Sequence, residues 1–428
     1  MRLFIVLTGM AIGFIAVPVW AQTPDLSPLA SQLEKIRHSH GTNQERDAGP
    51  EFTPVKQALR AWVEQQLPPP SGTSTPDGVT YDVEPGDLTS LSARLNQILD
   101  AAELTCGRPD SQEYRCGPDS GRTEDQRGYL DEVHIARLDD GYLLVVTGMG
   151  MLCGVDQSAY VYEQGPDHHW RLLISMEQDR YGKDEYQPQH FLSIATSPSD
   201  TAWNETAPPP LVTTLGYSPW CSSNWQVLYT HLWQASRSTT TPPALVDRQD
   251  SLYMGDNFIA GAHLTNHDLF VQFTGSSIDG TALVRPHILH YRIGPNHAAT
   301  RIAPAALDPQ AFVDEWLTTP WAEASRWLSP SADRTALARL HAGERRGPLT
   351  GDIDGPPKRC RKSTSLWQVT FNQDTDQDTV PRYFKVQWMA PYDFNLVASS
   401  AKPFPGCDEK AAPESIIGTL FPRQGWTP

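Results

Sequence analysis

Short runs of apolar, β-branched and aromatic residues, separated by Gly, Pro, Asp or Asn, occupy the chain from Tyr129 to Ala303. This pattern predicts twelve strands in three consecutive sets of four. The first set is Glu132–Leu138, Tyr142–Thr147, Ala159–Glu163 and Trp170–Met176. The second is Phe191–Thr196, Leu211–Leu215, Gln226–Trp233 and Ala244–Arg248. The third is Phe258–Leu264, Leu269–Thr274, His287–Ile293 and Thr300–Ile302.

Three tandem four-strand units of about 50–65 residues are typical of propeller blades. A closed propeller usually needs four or more blades, so three units require a contribution from elsewhere in the chain. An antiparallel sandwich fits the same alternation. We therefore predict a mainly β fold with propeller-like four-strand repeats or an antiparallel sandwich, N-terminal helices and a C-terminal α+β module.

Two stretches of the strand region resemble each other. Val145–Cys153 and Leu211–Cys221 each begin as an apolar strand, and in both a glycine precedes the cysteine by five residues. We interpret them as equivalent strand-loop-strand corners that a Cys153–Cys221 disulfide joins.

Helical spacing of apolar residues flanks the strand region on both sides. Thr53-Pro54 and Asp308-Pro309 each have the cap-then-proline signature of a helix start, and Asp87 is a further N-cap. Before Tyr129 the apolar faces are Leu26, Leu29, Leu33 and Ile36; Val55, Leu59, Trp62, Val63 and Leu67; and Leu88, Leu91, Leu95, Ile98 and Leu99. After Ala303 they are Phe312, Val313, Trp316 and Leu317; Trp321, Ala324, Trp327 and Leu328; and Leu337, Leu340 and His341. We predict a linker over 343–357, then strands Leu366–Phe371, Tyr383–Met389 and Phe394–Ser399.

The first 21 residues predict an export signal, with Arg2, an apolar stretch and a small-x-small cleavage site at Val19-Trp20-Ala21. An uncleaved N-terminal anchor is the alternative. We divide the chain into a signal peptide (1–21), a helical segment with a disulfide loop (22–128), a β-repeat domain (129–304) and an α+β module (305–428). A secreted or periplasmic location follows, with no stable membrane insertion after cleavage.

Six cysteines in an exported chain indicate disulfides rather than metal ligands. Sequential pairing is our hypothesis, among the connectivities that six cysteines allow. The pairs are Cys106–Cys116, Cys153–Cys221 and Cys360–Cys407. No CxxC spacing supports a zinc site, and no pattern indicates a cofactor.

The sequence has 34 Lys and Arg against 50 Asp and Glu, a net charge of −16. This excess of negative charge disfavours binding to nucleic acid or to anionic lipid. The acidic residues are spread along the chain, as on a solvated surface.

No intact catalytic motif is present. Gly216-Tyr-Ser218-Pro-Trp lacks the second glycine of a nucleophile elbow. Asp374-Thr-Asp376-Gln-Asp378 begins like a calcium loop but has Thr379 where glycine is required, so a solvated turn is favoured. For the histidine pairs, His287 and His290 among them, surface or hydrogen-bonded roles are favoured over metal binding.

One connection carries Glu177, Asp179, Asp184 and Glu185, with basic and aromatic residues between them. Paired carboxylates in a cleft act as acid and base in glycoside hydrolysis. The alternative is a charged loop in solvent.

The aromatic loop supplies the candidate ligand-binding residues Tyr217, Trp220 and Trp225. Flat amphipathic rings suit stacking on a sugar or peptide. The alternative is that they pack a sheet edge or cover a disulfide. Our leading hypothesis is a binding or scaffold protein with a carbohydrate or peptide ligand; a glycosidase-like hydrolase and a structural envelope protein are the alternatives.

Overall fold

All twelve predicted strands are present, and each set of four forms its own antiparallel sheet with neighbouring strands in chain order. The first sheet contains β1 (His134–Asp139), β2 (Tyr142–Met151), β3 (Gly154–Gln164) and β4 (Trp170–Met176). The second contains β5 (His190–Thr196), β6 (Leu211–Ser218), β7 (Trp225–Gln234) and β8 (Ala244–Tyr253). The third contains β9 (Ala260–Leu264), β10 (Asp268–Ser276), β11 (Val284–Ile293) and β12 (Ala299–Ile302). The fold is mainly β, as the alternation predicts.

The computed structural model describes most of the chain from residue 25 to residue 410. The described ranges are 25–40, 49–69, 85–106, 129–139, 141–151, 154–165, 169–177, 189–198, 208–219, 223–255, 258–279, 283–295, 298–302, 306–344, 351–361, 363–374, 379–389 and 393–410. The export signal, a short strand at Val79–Val83 and the 107–127 loop were predicted from sequence and lie outside these ranges.

The first sheet is buried on both faces. Leu143 and Val145 of β2 pack against the N-terminal helices, whereas Leu144 and Val146 pack against the second sheet. Successive side chains of a strand point to opposite faces, so a sheet covered on both sides needs apolar residues at every position. This requirement explains the unbroken apolar run 143–146.

The second sheet also has two covered faces, and the sheets therefore form a stack. Phe191, Ile194 and Val212 pack against the first sheet, while Leu228 and Leu232 pack against the third. The first strands of consecutive sheets touch, β1 against β5 and β5 against β9. Successive meanders stacked face to face occur in propellers and in layered sandwiches. The contacts define a stack and leave ring closure undefined.

Three helices cover the outer face of the first sheet: α1 (Ser27–His40), α2 (Gly49–Glu64) and α3 (Pro85–Ala101). The predicted apolar faces are confirmed, but two predicted starts are wrong. α2 begins at Gly49 and carries Pro54 inside it, and α3 begins at Pro85 with Asp87 in its first turn. The longer α2 buries Phe52, which offsets the backbone hydrogen bond that Pro54 removes.

The C-terminal part combines helices with a six-stranded sheet. Its helices are α4 (Pro309–Thr318), α5 (Trp321–Ala324), which a 3-10 turn extends over Ser325–Trp327, and α6 (Arg334–Glu344). The strands are β13 (Gly351–Ile353), β14 (Lys358–Arg359), β15 (Leu366–Asp374), β16 (Thr379–Met389), β17 (Asp393–Ser400) and β18 (Glu409–Lys410). Asp308 caps α4 as predicted, accepting a 2.8 Å hydrogen bond from the Ala311 amide. The predicted linker over 343–357 contains the short strand β13, which pairs with β15.

A buried ionic network joins the third sheet to α4. Glu315 accepts hydrogen bonds from Arg285 at 2.6 Å and from Arg301, and its Oε2 lies 3.1 Å from His287 Nδ1. Desolvation alone raises the pKa of Glu315, but Arg301, Arg285 and His287 outweigh it and hold the pKa well below its usual range. The six-stranded sheet, which we call the fourth sheet, packs against α4 through an apolar cluster. The network therefore positions the C-terminal module on the stack.

The Cys360–Cys407 disulfide is confirmed and brackets β15, β16 and β17 as predicted. Cys106 also forms a disulfide, with a partner outside the described residues. Cys116, Cys153 and Cys221 lie outside the described ranges, so the other two pairings stay predictions. Within the described part of the chain, none of the helices is long and apolar enough to cross a membrane.

Asp131 lies beside the predicted corner glycine, Gly148, whose carbonyl accepts a 2.9 Å hydrogen bond from the Asp131 amide. Burial raises the pKa of the Asp131 carboxyl to about 6, with a smaller opposing effect from its backbone hydrogen bond to Glu132. The folded state therefore binds a proton that the unfolded state has released, and stability falls as pH rises from about 4 to about 6.

We predict that Asp131→Asn stabilises the protein at pH 7 and leaves stability unchanged near pH 3.5. The amide removes the desolvation penalty of the carboxylate, and about 2 kcal/mol is expected from a shift of this size in a residue that keeps some solvent contact. Denaturant unfolding at both pH values measures the difference. A variant that is less stable than the parent at pH 7 would contradict this account.

Candidate functional site

Strand β7 has one face inside the stack and one face that is only partly covered. Its even-numbered positions include Leu228 and Leu232, which pack against the third sheet. Because side chains alternate along a strand, the odd-numbered positions face the side of the first sheet. Trp233 contacts the apolar cluster between the first and second sheets, whereas Trp225 at the other end of β7 is 37% exposed.

The odd-numbered face carries an aromatic stripe, defined by Trp225, Tyr229, His231 and Trp233 of β7 with Tyr253 of β8. The ring centroids of His231 and Trp233 are 4.9 Å apart, and those of Tyr229 and His231 are 6.2 Å apart with nearly parallel planes. Trp225 and Tyr253 are cross-strand partners with centroids 5.0 Å apart. The stripe runs from the open end of β7 toward the first sheet.

At the Trp233 end the stripe enters a cleft of about 150 Å³ between the first and second sheets. We call it the aromatic cleft. Its lining comes from β4 and the residue after it, from the residue before β5, from β7 and from the β7–β8 loop. These residues are Ile174, Ser175, Met176, Glu177, Gln189, His231, Trp233, Thr241 and Pro242.

The β7–β8 loop bounds the cleft because it is tied to the first sheet. The Ser175 amide of β4 donates to the Thr240 carbonyl at 2.8 Å. Arg237 Nε donates to both oxygens of Glu163 at 3.2 Å, and Arg171 donates to the same fully buried carboxylate. Two guanidinium groups thus compensate one buried negative charge, which alone would be costly.

Glu177 supplies the carboxylate of the cleft and is itself held in place. Its Oε1 accepts a 2.7 Å hydrogen bond from the Tyr160 hydroxyl and lies 3.5 Å from Arg60 Nη1. Arg60 also contacts Glu64 at 3.5 Å and stacks over the Tyr160 ring. Oε2 of Glu177 has no protein partner among the described residues, so it is the oxygen available to a ligand.

Four buried polar atoms on this side of the second sheet lack a hydrogen-bond partner within the described residues. They are the Tyr229 hydroxyl, His231 Nδ1, Thr214 Oγ1 and Thr196 Oγ1. Thr214 is the cross-strand partner of His231 and shares its face. Buried polar groups normally find a protein, water or ligand partner, so this face is built for polar contacts as well as for stacking.

The protonation states of the stripe are set by burial. Burial lowers the pKa of His231, and the neighbouring Asp247, 3.3 Å away, opposes this effect only in part. Burial also raises the pKa of Tyr229. His231 is therefore a neutral ring at neutral pH, and Tyr229 keeps its hydroxyl proton.

The three ligand-binding candidates from the sequence lie in different places. Trp225 belongs to the stripe. Tyr217 pairs with Leu228 and lies on the opposite face, against the cluster between the second and third sheets and 5.1 Å from the His190 ring. Tyr217 and Trp225 therefore belong to different surfaces of the sheet. Trp220 lies outside the described residues, as does Cys221.

Among the acidic candidates for hydrolysis, Glu177 lines the cleft, and Asp179, Asp184 and Glu185 lie outside the described residues. The sequence interpretation of the histidines is supported at two positions. His287 bonds to Glu315, and His290 lies 2.7 Å from Asp268 on the opposite face of β11. No cluster of three or more metal-ligating side chains occurs within the described ranges.

Four residues of the stripe were not predicted as ligand-binding candidates from the sequence: Tyr229, His231, Trp233 and Tyr253. A signal was present, because aromatic residues occupy alternate positions in Tyr229-Thr-His231-Leu-Trp233. Read with the strand period of two, this spacing places the three rings on one face.

The chain matches no model of a known protein family, and a comparison with curated proteins finds no relative.

We predict that Arg237→Met loosens the β7–β8 loop while leaving global stability nearly unchanged. Methionine keeps the apolar length of the side chain but removes its hydrogen bonds to Glu163, which retains Arg171. Amide hydrogen exchange over residues 236–243 should become several-fold faster. The matched control is Arg292→Met, which removes a largely exposed ion pair with Asp268 and should leave this loop unaffected. Unchanged exchange in Arg237→Met would show that the clamp does not hold the loop.

Proposed function

We propose that this protein is an exported binding protein that holds an extended carbohydrate against the aromatic stripe. The observation that carries the proposal is the line of partly exposed rings on β7, which leads into a cleft with polar side chains. Aromatic faces combine large apolar contact area with little loss of conformational entropy, which suits the C–H faces of sugar rings.

The position of the stripe favours a carbohydrate over a peptide. An extended peptide commonly binds by adding a strand to a free sheet edge, where backbone hydrogen bonds supply affinity. Strand β7 is paired with β6 and with β8, so its backbone groups are already used. A ligand on its face meets side chains alone.

Uncharged polar side chains flank the rings on β8. Gln249 is the cross-strand partner of Tyr229, and Ser251 is the partner of Val227. Both are exposed. An amide and a hydroxyl beside stacking rings suit the hydroxyl groups of a sugar, each of which both donates and accepts hydrogen bonds.

The length of the stripe sets the size of the ligand. Trp233 lies eight positions after Trp225, which corresponds to about 27 Å at about 3.4 Å per residue. An oligosaccharide can bridge the open end and the cleft, whereas a single sugar contacts one end alone. Affinity should therefore rise with chain length until the ligand spans the stripe.

An exported location is part of the proposal. The Cys360–Cys407 disulfide supports it, because disulfides persist in oxidising compartments. The N-terminal signal pattern supports it from the sequence. Carbohydrate polymers outside the cytoplasm are then the available ligand class.

We predict that Trp225→Ala weakens oligosaccharide binding roughly tenfold, since one stacked ring contributes about 1 kcal/mol or somewhat more. Isothermal titration calorimetry with neutral hexasaccharides, chosen from a glycan array, measures the change. Phe258→Ala is the matched control, because Phe258 is an aromatic residue of similar exposure, 40%, outside the stripe. Equal affinities for parent and Trp225→Ala, or an equal loss in Phe258→Ala, would overturn the proposal.

A further inference from the structure

Negative charge is in excess at the inner end of the aromatic cleft, by which we mean the end that Glu177 lines. Arg60 is shared between Glu64 and Glu177, each 3.5 Å away, so two carboxylates compete for one guanidinium. Asp247, whose side chain is 70% exposed, adds a second negative charge beside His231. Among the described residues around the cleft, the acidic charges therefore exceed the basic ones.

The other charged groups near this end offset only part of this excess. The buried Asp156 is balanced by Lys56 at 2.6 Å, whereas Arg171 and Arg237 together carry one positive charge more than Glu163. Four carboxylates against three guanidinium groups therefore leave one net negative charge among the described residues at this end: Glu64, Glu163, Glu177 and Asp247 against Arg60, Arg171 and Arg237. The protein as a whole carries a net charge of −16, so its long-range field has the same sign.

The carboxylate of Glu177 is held in one orientation and keeps one oxygen without a protein partner among the described residues. Its Oε1 is fixed by Tyr160 and Arg60, which orients the carboxylate, and its Oε2 has no partner within the described residues. Its side chain keeps 13% of its exposure, and the uncharged Gln189 lines the same cleft. His231 also lines this cleft, and its buried Nδ1 has no hydrogen-bond partner within the described residues, which is an independent sign that a polar ligand completes this region.

We infer that the inner end of the cleft selects an oligosaccharide carrying a protonated amine, with Glu177 as the residue that determines this specificity. The inference rests on the proposed function and names its ligand class, the oligomers of amino sugars with free amino groups. A neutral hydroxyl can occupy the same hydrogen bond, but only a cation balances the residual negative charge.

The same charge balance predicts what the cleft rejects. A uronic acid or a sulfated sugar would place an anion beside Glu177 and Asp247 and would be repelled. N-acetylated amino sugars keep the rings and lose the charge, so they should bind like neutral glucose oligomers. The amine preference should shrink as salt rises, because part of it comes from exposed charge.

The test measures the dissociation constants of glucosamine, N-acetylglucosamine and glucose hexamers for the intact protein. We expect the glucosamine hexamer to bind about tenfold more tightly than the other two. In Glu177→Gln this preference should fall to about twofold or less, with affinity for the glucose hexamer unchanged. The matched control is Asp352→Asn, which removes the same charge from the fourth sheet and should keep the preference.

A second variant tests the inference in the opposite direction. Arg60→Met removes the shared guanidinium while keeping the apolar length, so two uncompensated carboxylates remain and the amine preference should rise. An amine preference that is absent in the parent, survives in Glu177→Gln or falls in Arg60→Met overturns the inference while the binding function stands. If none of the hexamers binds and a lysine-rich peptide binds instead, the proposed function itself fails.

Discussion

The period-two alternation of β7 is the constraint on which the cleft depends. Leu228 and Leu232 face the third sheet because they belong to the apolar cluster between the second and third sheets. The intervening residues are then forced to the other face. There the first sheet contacts mainly β5, so it covers Trp233 and leaves Trp225 exposed. A partly open aromatic surface arises where the first sheet covers only one end of this face of β7.

The same stacking explains how the chain can carry such a surface without losing stability. Apolar residues on both faces of the first two sheets bury continuous clusters, and the N-terminal helices close the outer face of the first sheet. The ionic network around Glu315 joins the third sheet to the C-terminal module. Neither the helices nor the ionic network covers Trp225 at the open end of β7.

Strand positions could be predicted from the sequence because the apolar runs are short and are separated by turn residues. Strand β4, Trp170–Met176, begins and ends at the predicted residues. For most of the other strands the prediction differs from the structure only in where the strand begins or ends. Helix starts failed where tertiary packing overrode the local signal, as at Pro54, which lies inside α2 because Phe52 is buried. The two-residue strands β14 and β18 were missed because they are too short to show a period.

The candidate site was predictable only in part. Trp225 and Tyr217 were both predicted because they belong to one aromatic loop, but their side chains lie on opposite faces of the second sheet. Deciding between them requires the register of β6 against β7, which the sequence does not contain. The contacts of Glu177 with Arg60 and of Glu163 with Arg237 join residues 117 and 74 positions apart, and no local pattern announces them.

The proposal that an oligosaccharide binds along the aromatic stripe and in the aromatic cleft is best tested by photocrosslinking, because this method locates a bound ligand without substituting any residue. A diazirine-labelled oligosaccharide would be photolysed on the intact chain, and mass spectrometry would locate the adducts. We expect adducts on residues 225–253 and 174–177, and their loss when excess unlabelled oligosaccharide competes. Competable adducts confined to the third or fourth sheet, or to the Tyr217 face of the second, would contradict the proposal.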